Sequence, residues 1–218
     1  MSRIIYLLSP ISREGTIALP MIDFRIIVKQ IDFSSCDTLM FTSKQAVKSV
    51  DTINKDWKEY PCLAIGSATA RQIKALGGRV AYQPSIFYGK TLSQDIIEKF
   101  QDRNILYLRP KEVSFDSKAM LAKAGIVLQE QIIYETYCIR YYKKAQPKKN
   151  AIIIFTSPST IFCFFRSFTW DDTYIAIVIG ESTKVHLPKE VTYYVANEAT
   201  IDACISKAKE LMHLNGLK

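Results

Sequence analysis

One short phrase occurs twice in this chain at a fixed offset. "MFTSKQAV" at residues 40–47 returns as "IFTSPSTI" at 154–161, and "LAIGSATA" at 63–70 returns as "IVIGESTK" at 177–184. Phe41 and Phe155 are 114 residues apart, and so are Gly66 and Gly180. Two echoes at one spacing mean two related units within 218 residues, a length that suits two small domains. With 48% hydrophobic and 23% charged residues, each unit can build an ordinary core.

Around the echoes, apolar β-prone runs alternate with helical patterns. The strand run "TLMFTS" leads into the helix "KQAVKSVDTI" with Ser43 as cap, and "CLAIG" leads into "SATARQIKALGG" with Ser67 as cap and Gly77 and Gly78 as stop. "RVAYQ", "LSQDIIEKF", "ILYLR", "FDSKAMLAKAG" and "IVLQEQIIYETY" continue the alternation. The second unit runs "AIIIF", "PSTIFCFFRSF", "YIAIVIG", "ESTKVHL", "VTYYVA" and "TIDACISKAKELMHL". Such alternation requires crossover connections and hence parallel sheets.

The second unit is one strand short, and the N-terminal "RIIYLL" can supply it. The chain then starts in one domain, visits the other and returns. The expected fold is α/β, with two small parallel-sheet, flavodoxin-like domains joined by a two-stranded β-ladder. Residues 1–20 and 140–218 form a discontinuous outer domain, 27–131 an inner domain, and 21–26 with 132–139 the hinge ladder, leaving a cleft between the two sheets.

In open parallel sheets ligands bind beyond the carboxyl ends of the strands, where helix starts present backbone N–H groups. Both echoes fall there. Ser43, Lys44, Gly66, Ser67 and Thr69 in the inner unit, and Ser157, Ser159, Gly180, Ser182 and Thr183 in the outer, form small-hydroxyl helix starts. A single serine at such a place is most simply a cap; four matched starts suit a ligand with several carboxylates or phosphates. Phosphate-loop, dinucleotide and nucleophile-elbow patterns are missing from the sequence.

The net charge of +8 favours acidic ligands, and its densest run, "RYYKKAQPKKN" at 140–150, reads as a solvated connector. The remaining basic residues are dispersed, which argues against nucleic acid. The five cysteines, Cys36, Cys62, Cys138, Cys163 and Cys204, are odd in number, scattered and next to apolar runs, so reduced thiols are expected rather than disulfides. His186 and His213 have no ligand-spaced neighbours, so no metal site is expected. No apolar run reaches the roughly 20 residues of a membrane span, and "RIIYLLSP" is too short for a secretory segment, so a cytoplasmic protein is expected.

The ordered set "TLMFTSKQAV", "CLAIGSATARQIKALGG", "ILYLRP", "AGIVLQEQIIYETY", "IIIFTSPSTI" and "VIGEST" resembles the uroporphyrinogen-III synthase family from about residue 36 onward. The resemblance implies two α/β domains on a β-ladder and a monomer without metal or organic cofactor. It also implies hydroxymethylbilane as substrate, cyclised with inversion of its fourth ring, and leaves a direct hand-over from hydroxymethylbilane synthase open. By the same resemblance Tyr134 is the cleft tyrosine, donor or orienter for the leaving hydroxyl, and Thr69 a second catalytic residue. Ser43, Lys44, Gly66, Ser67, Ser157, Ser159, Gly180, Ser182 and Thr183 are then carboxylate contacts. A ladder aromatic packed at the hinge is the other reading of Tyr134. Two departures stand out: "ISREGTI" is too short for a normal crossover, and Pro110 stands where the family commonly has glycine, with Arg109 and Lys111 beside it. The alternative function is a non-catalytic cytoplasmic two-domain binder of a polyanionic small molecule.

Overall fold

The computed structural model describes residues 3–214, and the side chains of His213 and Leu214 lie outside what is described. The chain divides into two compact units, Phe24–Thr136 and the pair of segments Met1–Asp23 and Tyr137–Lys218.

The inner unit contains β4 (Thr38–Phe41), α1 (Lys44–Ile53), β5 (Pro61–Ala64), α2 (Ser67–Ala75), β6 (Arg79–Tyr82), α3 (Gly89–Lys99), β7 (Ile105–Pro110) and α4 (Ser117–Lys123). It shares β3 (Ile22–Ile26) and β8 (Gln129–Cys138) with the outer segments. Its sheet runs β3-β8-β7-β4-β5-β6. The last five strands are parallel, in the doubly wound order 3-2-1-4-5 when renumbered from β4.

Alternation along β4 explains the layering. Leu39 and Phe41 point to one face, where Val47 and Val50 of α1 and Ala70 and Ile73 of α2 cover them. Met40 points to the other, under Leu92 and Ile96 of α3 and Leu121 of α4. A strand covered on both faces can be apolar throughout, and all four residues of β4 are buried.

The outer unit contains β1 (Ile5–Leu7), β2 (Ile17–Ala18), β9 (Ile152–Phe155), α5 (Pro158–Ser167), β10 (Ile175–Val178), α6 (Glu181–Lys184), β11 (Tyr193–Val195) and α7 (Ile201–Leu214). Its sheet, β11-β10-β9-β1-β2, is parallel throughout and has the flavodoxin order 2-1-3-4-5 when renumbered from β1. Ile153 and Phe155 pack with Ile161 and Phe164 of α5. Ile152 and Ile154 pack with Cys204, Ile205, Ala208 and Leu211 of α7. The N-terminal strand does fill the missing place, between β9 and β2.

Two expectations gain detail and two need correction. The inner sheet is mixed, because β3 joins β8 antiparallel: Ile27 N–H donates to Ile133 O and Ile139 N–H to Met21 O, pairings whose residue numbers sum to a constant. The ladder is therefore a continuation of the inner sheet. The segment "ISREGTI" does complete a parallel connection, since β2 lies beside β1 with a loop, without a helix, bridging them. Ser67 is not the cap of α2; Gly66 holds that position in extended backbone, and Ser67 is the first helical residue. Finally, Cys138 and Cys163 form a disulfide across 25 residues. The end of β8 and the middle of α5 meet on one face of the outer sheet, and their Cα atoms are 5.3 Å apart, within bonding range. Cys36, Cys62 and Cys204 are free thiols; burial pushes Cys62 up to about 12 and the other two up to about 11.

Among the described residues no helix is long and apolar enough to cross a membrane. Arg140, Tyr142, Lys143, Lys144, Lys148 and Lys149 of the basic run are all exposed.

Candidate functional site

In each sheet the strand order reverses direction once, and crevices open at such points beyond the carboxyl ends. In the inner unit the reversal lies between β4 and β7, in the outer between β1 and β9.

At the inner reversal, β4 runs into Thr42 and Ser43 before α1 begins. Ser43 is the N-cap: its Oγ accepts the Ala46 N–H at 3.0 Å. Adjacent residues of an extended segment point to opposite sides, and each of these two hydroxyls meets a tyrosine. Ser43 Oγ lies 2.8 Å from Tyr134 Oη on β8, and Thr42 Oγ1 lies 2.6 Å from Tyr107 Oη on β7. Tyr134 is 3% exposed and Tyr107 2%. Burial raises the Tyr134 phenol above the ordinary tyrosine value, and the Ser43 hydrogen bond partly offsets this. Burial pushes Tyr107 up to about 12, against the opposing effects of Thr42 and Arg109. Both phenols are therefore neutral, able to donate a proton or a hydrogen bond at physiological pH. The face of Tyr134 is fixed by an edge-to-face contact with Phe24, ring centroids 5.8 Å apart.

The two cations beside this point are already engaged. Arg109 Nε lies 3.2 Å from Glu130, without hydrogen-bond alignment, while its Nη1 donates to the carbonyls of Pro110 and Lys111. Lys111 reaches Glu135 at 3.5 Å. Lys44, in the first turn of α1, is exposed, and that turn carries no acid.

Elsewhere on the inner rim, Gly66 is buried, Ser67 half-buried and Thr69 only 4% exposed. On the outer rim Ser157 forms a capping box with Thr160: each side chain accepts the other's backbone N–H. Ser159 follows it, half-buried. Gly180 is half-buried, Ser182 exposed and Thr183 1% exposed. Glu181 pairs with Lys184 at 2.9 Å, so this turn carries its own acid. The structure thus brings Ser43 and Tyr134 together, leaves Lys44 and Ser182 exposed and Ser67 and Ser159 half-buried, and encloses Gly66, Thr69 and Thr183. Thr42 and Tyr107 escaped the sequence reading. Their signal is a tyrosine inside the otherwise aliphatic run "ILYLR", a buried polar tip that needs a partner.

Two α/β units built on parallel strands, each with small hydroxyls at the helix starts, and in one of them a half-buried serine within hydrogen-bond distance of a buried tyrosine, define a class by fold: proteins of nested two-unit α/β architecture. The family described as uroporphyrinogen-III synthase HemD matches residues 14–206, and the chain belongs to that family. Among curated proteins it is similar to the porphyrin biosynthesis protein HemD of Ruminiclostridium josui, 25% identical over 190 residues. That match covers 79% of this chain and 38% of the relative, so the chain spans well under half the length of that protein. Among solved structures, uroporphyrinogen-III synthetase of Helicobacter pylori 26695 aligns with a TM-score of 0.82 at 25% identity, over 96% of this chain and 99% of the other. A mutant uroporphyrinogen III synthase of the extremely thermophilic bacterium Thermus thermophilus shares the fold, with a TM-score of 0.60 at 10% identity over 98% and 100% of the two chains.

Proposed function

We propose that the protein is a cofactor-independent cyclising hydro-lyase that converts linear hydroxymethylbilane to uroporphyrinogen III. The observation that carries the reading is the Ser43–Tyr134 pair at the inner reversal point of a chain belonging to this family. Tyr134, a neutral phenol, protonates or orients the leaving hydroxyl, which departs as water. The already substituted carbon of the last ring attacks the electrophile left behind; the spiro intermediate opens and recloses with that ring inverted, and the proton lost from carbon on reclosure balances the one spent. Spontaneous closure gives the non-inverted isomer, so the protein's main task is to hold a folded substrate conformation.

Carboxylate arms are assigned to helix starts: Ser43, Lys44, Gly66, Ser67 and Thr69 in the inner unit, and Ser157, Ser159, Gly180, Ser182 and Thr183 in the outer. Thr69 and Thr183, being enclosed, act by shaping their turns or through backbone groups. The net charge of +8 attracts the polyanion. A cytoplasmic monomer receiving substrate from hydroxymethylbilane synthase completes the proposal.

Turnover separates this reading from simple binding. With hydroxymethylbilane in hundredfold excess, an enzyme directs nearly all of it to one product. A binder withholds at most one equivalent from spontaneous closure, and that result would remove the synthase reading.

A further inference from the structure

Gly66 and Gly180 hold the same place in the repeated phrase, yet their surroundings differ. A Cβ on Gly180 would meet nothing within 4 Å, whereas one on Gly66 would lie 2.9 Å from Cγ of Phe87. The Cα side of the inner glycine is covered by an aromatic ring, and that of the outer glycine is not.

Phe87 belongs to the loop 83–88 that leaves the carboxyl end of β6 and enters α3. Ile86, Phe87 and Tyr88 are 56%, 50% and 64% exposed, three consecutive large apolar residues facing water. The loop is seated firmly. Phe87 rests on Gly66, and at its far end a Cβ on Gly89 would lie 2.9 Å from Cβ of Phe115 in the loop after β7. Neither α2 nor α3 has an acid in its first turn and Lys90 beside the loop is exposed, while Glu112 and Asp116, exposed acids, lie in the loop of Phe115. An apolar platform bordered by a cation and helix starts is a poor match for a purely polar polyanion. It fits a ligand of flat, apolar rings carrying carboxylate arms.

We infer that Ile86, Phe87 and Tyr88 form an apolar wall of the substrate site in the inner unit, taking the face of a pyrrole ring while neighbouring helix starts take its carboxylates. This rests on the synthase reading, and it assigns the ring-holding part of that task to a loop outside both repeated phrases. Gly66 has no side chain because Phe87 must sit on it, which holds the platform at a fixed height over the start of α2.

The test compares wild type with the triple change Ile86→Ser, Phe87→Ser, Tyr88→Ser and the single change Phe87→Trp, each checked for folding by circular dichroism. Steady-state kinetics with hydroxymethylbilane are measured alongside inhibition by butanetetracarboxylate, a polyanion without rings. The triple variant should raise KM at least about tenfold with kcat changed less, and inhibition by the ringless polyanion should stay within twofold. Phe87→Trp should retain the wild-type KM. Isomer III from wild type with an unchanged KM in the triple variant overturns the wall alone. So does a wild-type dimer that the triple change separates without altering KM, since the face would then serve contact between copies. Equal weakening of substrate and ringless polyanion also overturns it. A wild type that forms no isomer III fails the synthase reading itself, and the wall with it.

Discussion

Ser43 Oγ lies 2.8 Å from Tyr134 Oη while accepting the Ala46 N–H at 3.0 Å, so one serine both starts α1 and anchors the phenol of β8. The two roles separate by mutation. Tyr134→Phe keeps the ring contact with Phe24 and the cap, and costs about 1 kcal/mol at most in stability. It should lower kcat at least several-fold. Ser43→Ala also removes the cap and should cost about 0.5–2 kcal/mol. Urea unfolding and steady-state kinetics on both variants check this; unchanged turnover in Tyr134→Phe takes the phenol out of the chemistry.

The phenols make a pH prediction. Tyr107 is held up to about 12 in the folded protein, above the ordinary tyrosine value of 10.0 that applies when unfolded. A folded-state pKa above the unfolded one gives stability that is fully present below about pH 10 and is lost as pH rises toward about 12. Unfolding free energy measured from pH 8 to pH 11 should fall more steeply in wild type than in Tyr107→Phe. Tyr134 shifts in the same direction, so an alkaline limb of activity due to its ionisation should lie above the ordinary tyrosine range.

The Cys138–Cys163 bond closes a loop of 25 residues, which by chain entropy restrains the unfolded state by about 3 kcal/mol. Protein purified without reductant and denatured should show three titratable thiols, Cys36, Cys62 and Cys204, rising to five on reduction. Cys163→Ser should lower the melting temperature and respond no further to reductant. Five thiols before reduction would mean the bond does not form in solution.

Gly78 and Gly180 should respond oppositely to alanine. A Cβ on Gly78 would lie 2.3 Å from the ring of Trp57, a fully buried side chain without room to yield. Gly78→Ala should therefore cost about 1–3 kcal/mol through overpacking. Gly180 has open space around it and an extended backbone, so Gly180→Ala should leave thermal stability within about 0.5 kcal/mol of wild type.

The repeat at Phe41 and Phe155 and the run-by-run alternation made the α/β layering legible, because a strand buried on both faces needs an unbroken apolar run and a following helix needs a 3.6-residue period. Ser43 and Tyr134 were legible through the family's motif order. The disulfide was not: Cys138 and Cys163 meet only because β8 ends on the face where α5 packs, a fact of tertiary geometry. The mixed sheet escaped for a similar reason, since β-prone "MIDFRI" carries no mark of the direction in which it will pair. Phe87 escaped because an exposed aromatic in a loop looks the same in sequence whether or not it sits on a distant glycine.

The most direct measurement supplies freshly made hydroxymethylbilane to the purified protein, oxidises the products, and separates porphyrin isomers I and III by chromatography. The account predicts isomer III in proportion to the protein added, with isomer I confined to the blank rate. Isomer I alone, with the substrate shown to be intact, would contradict it.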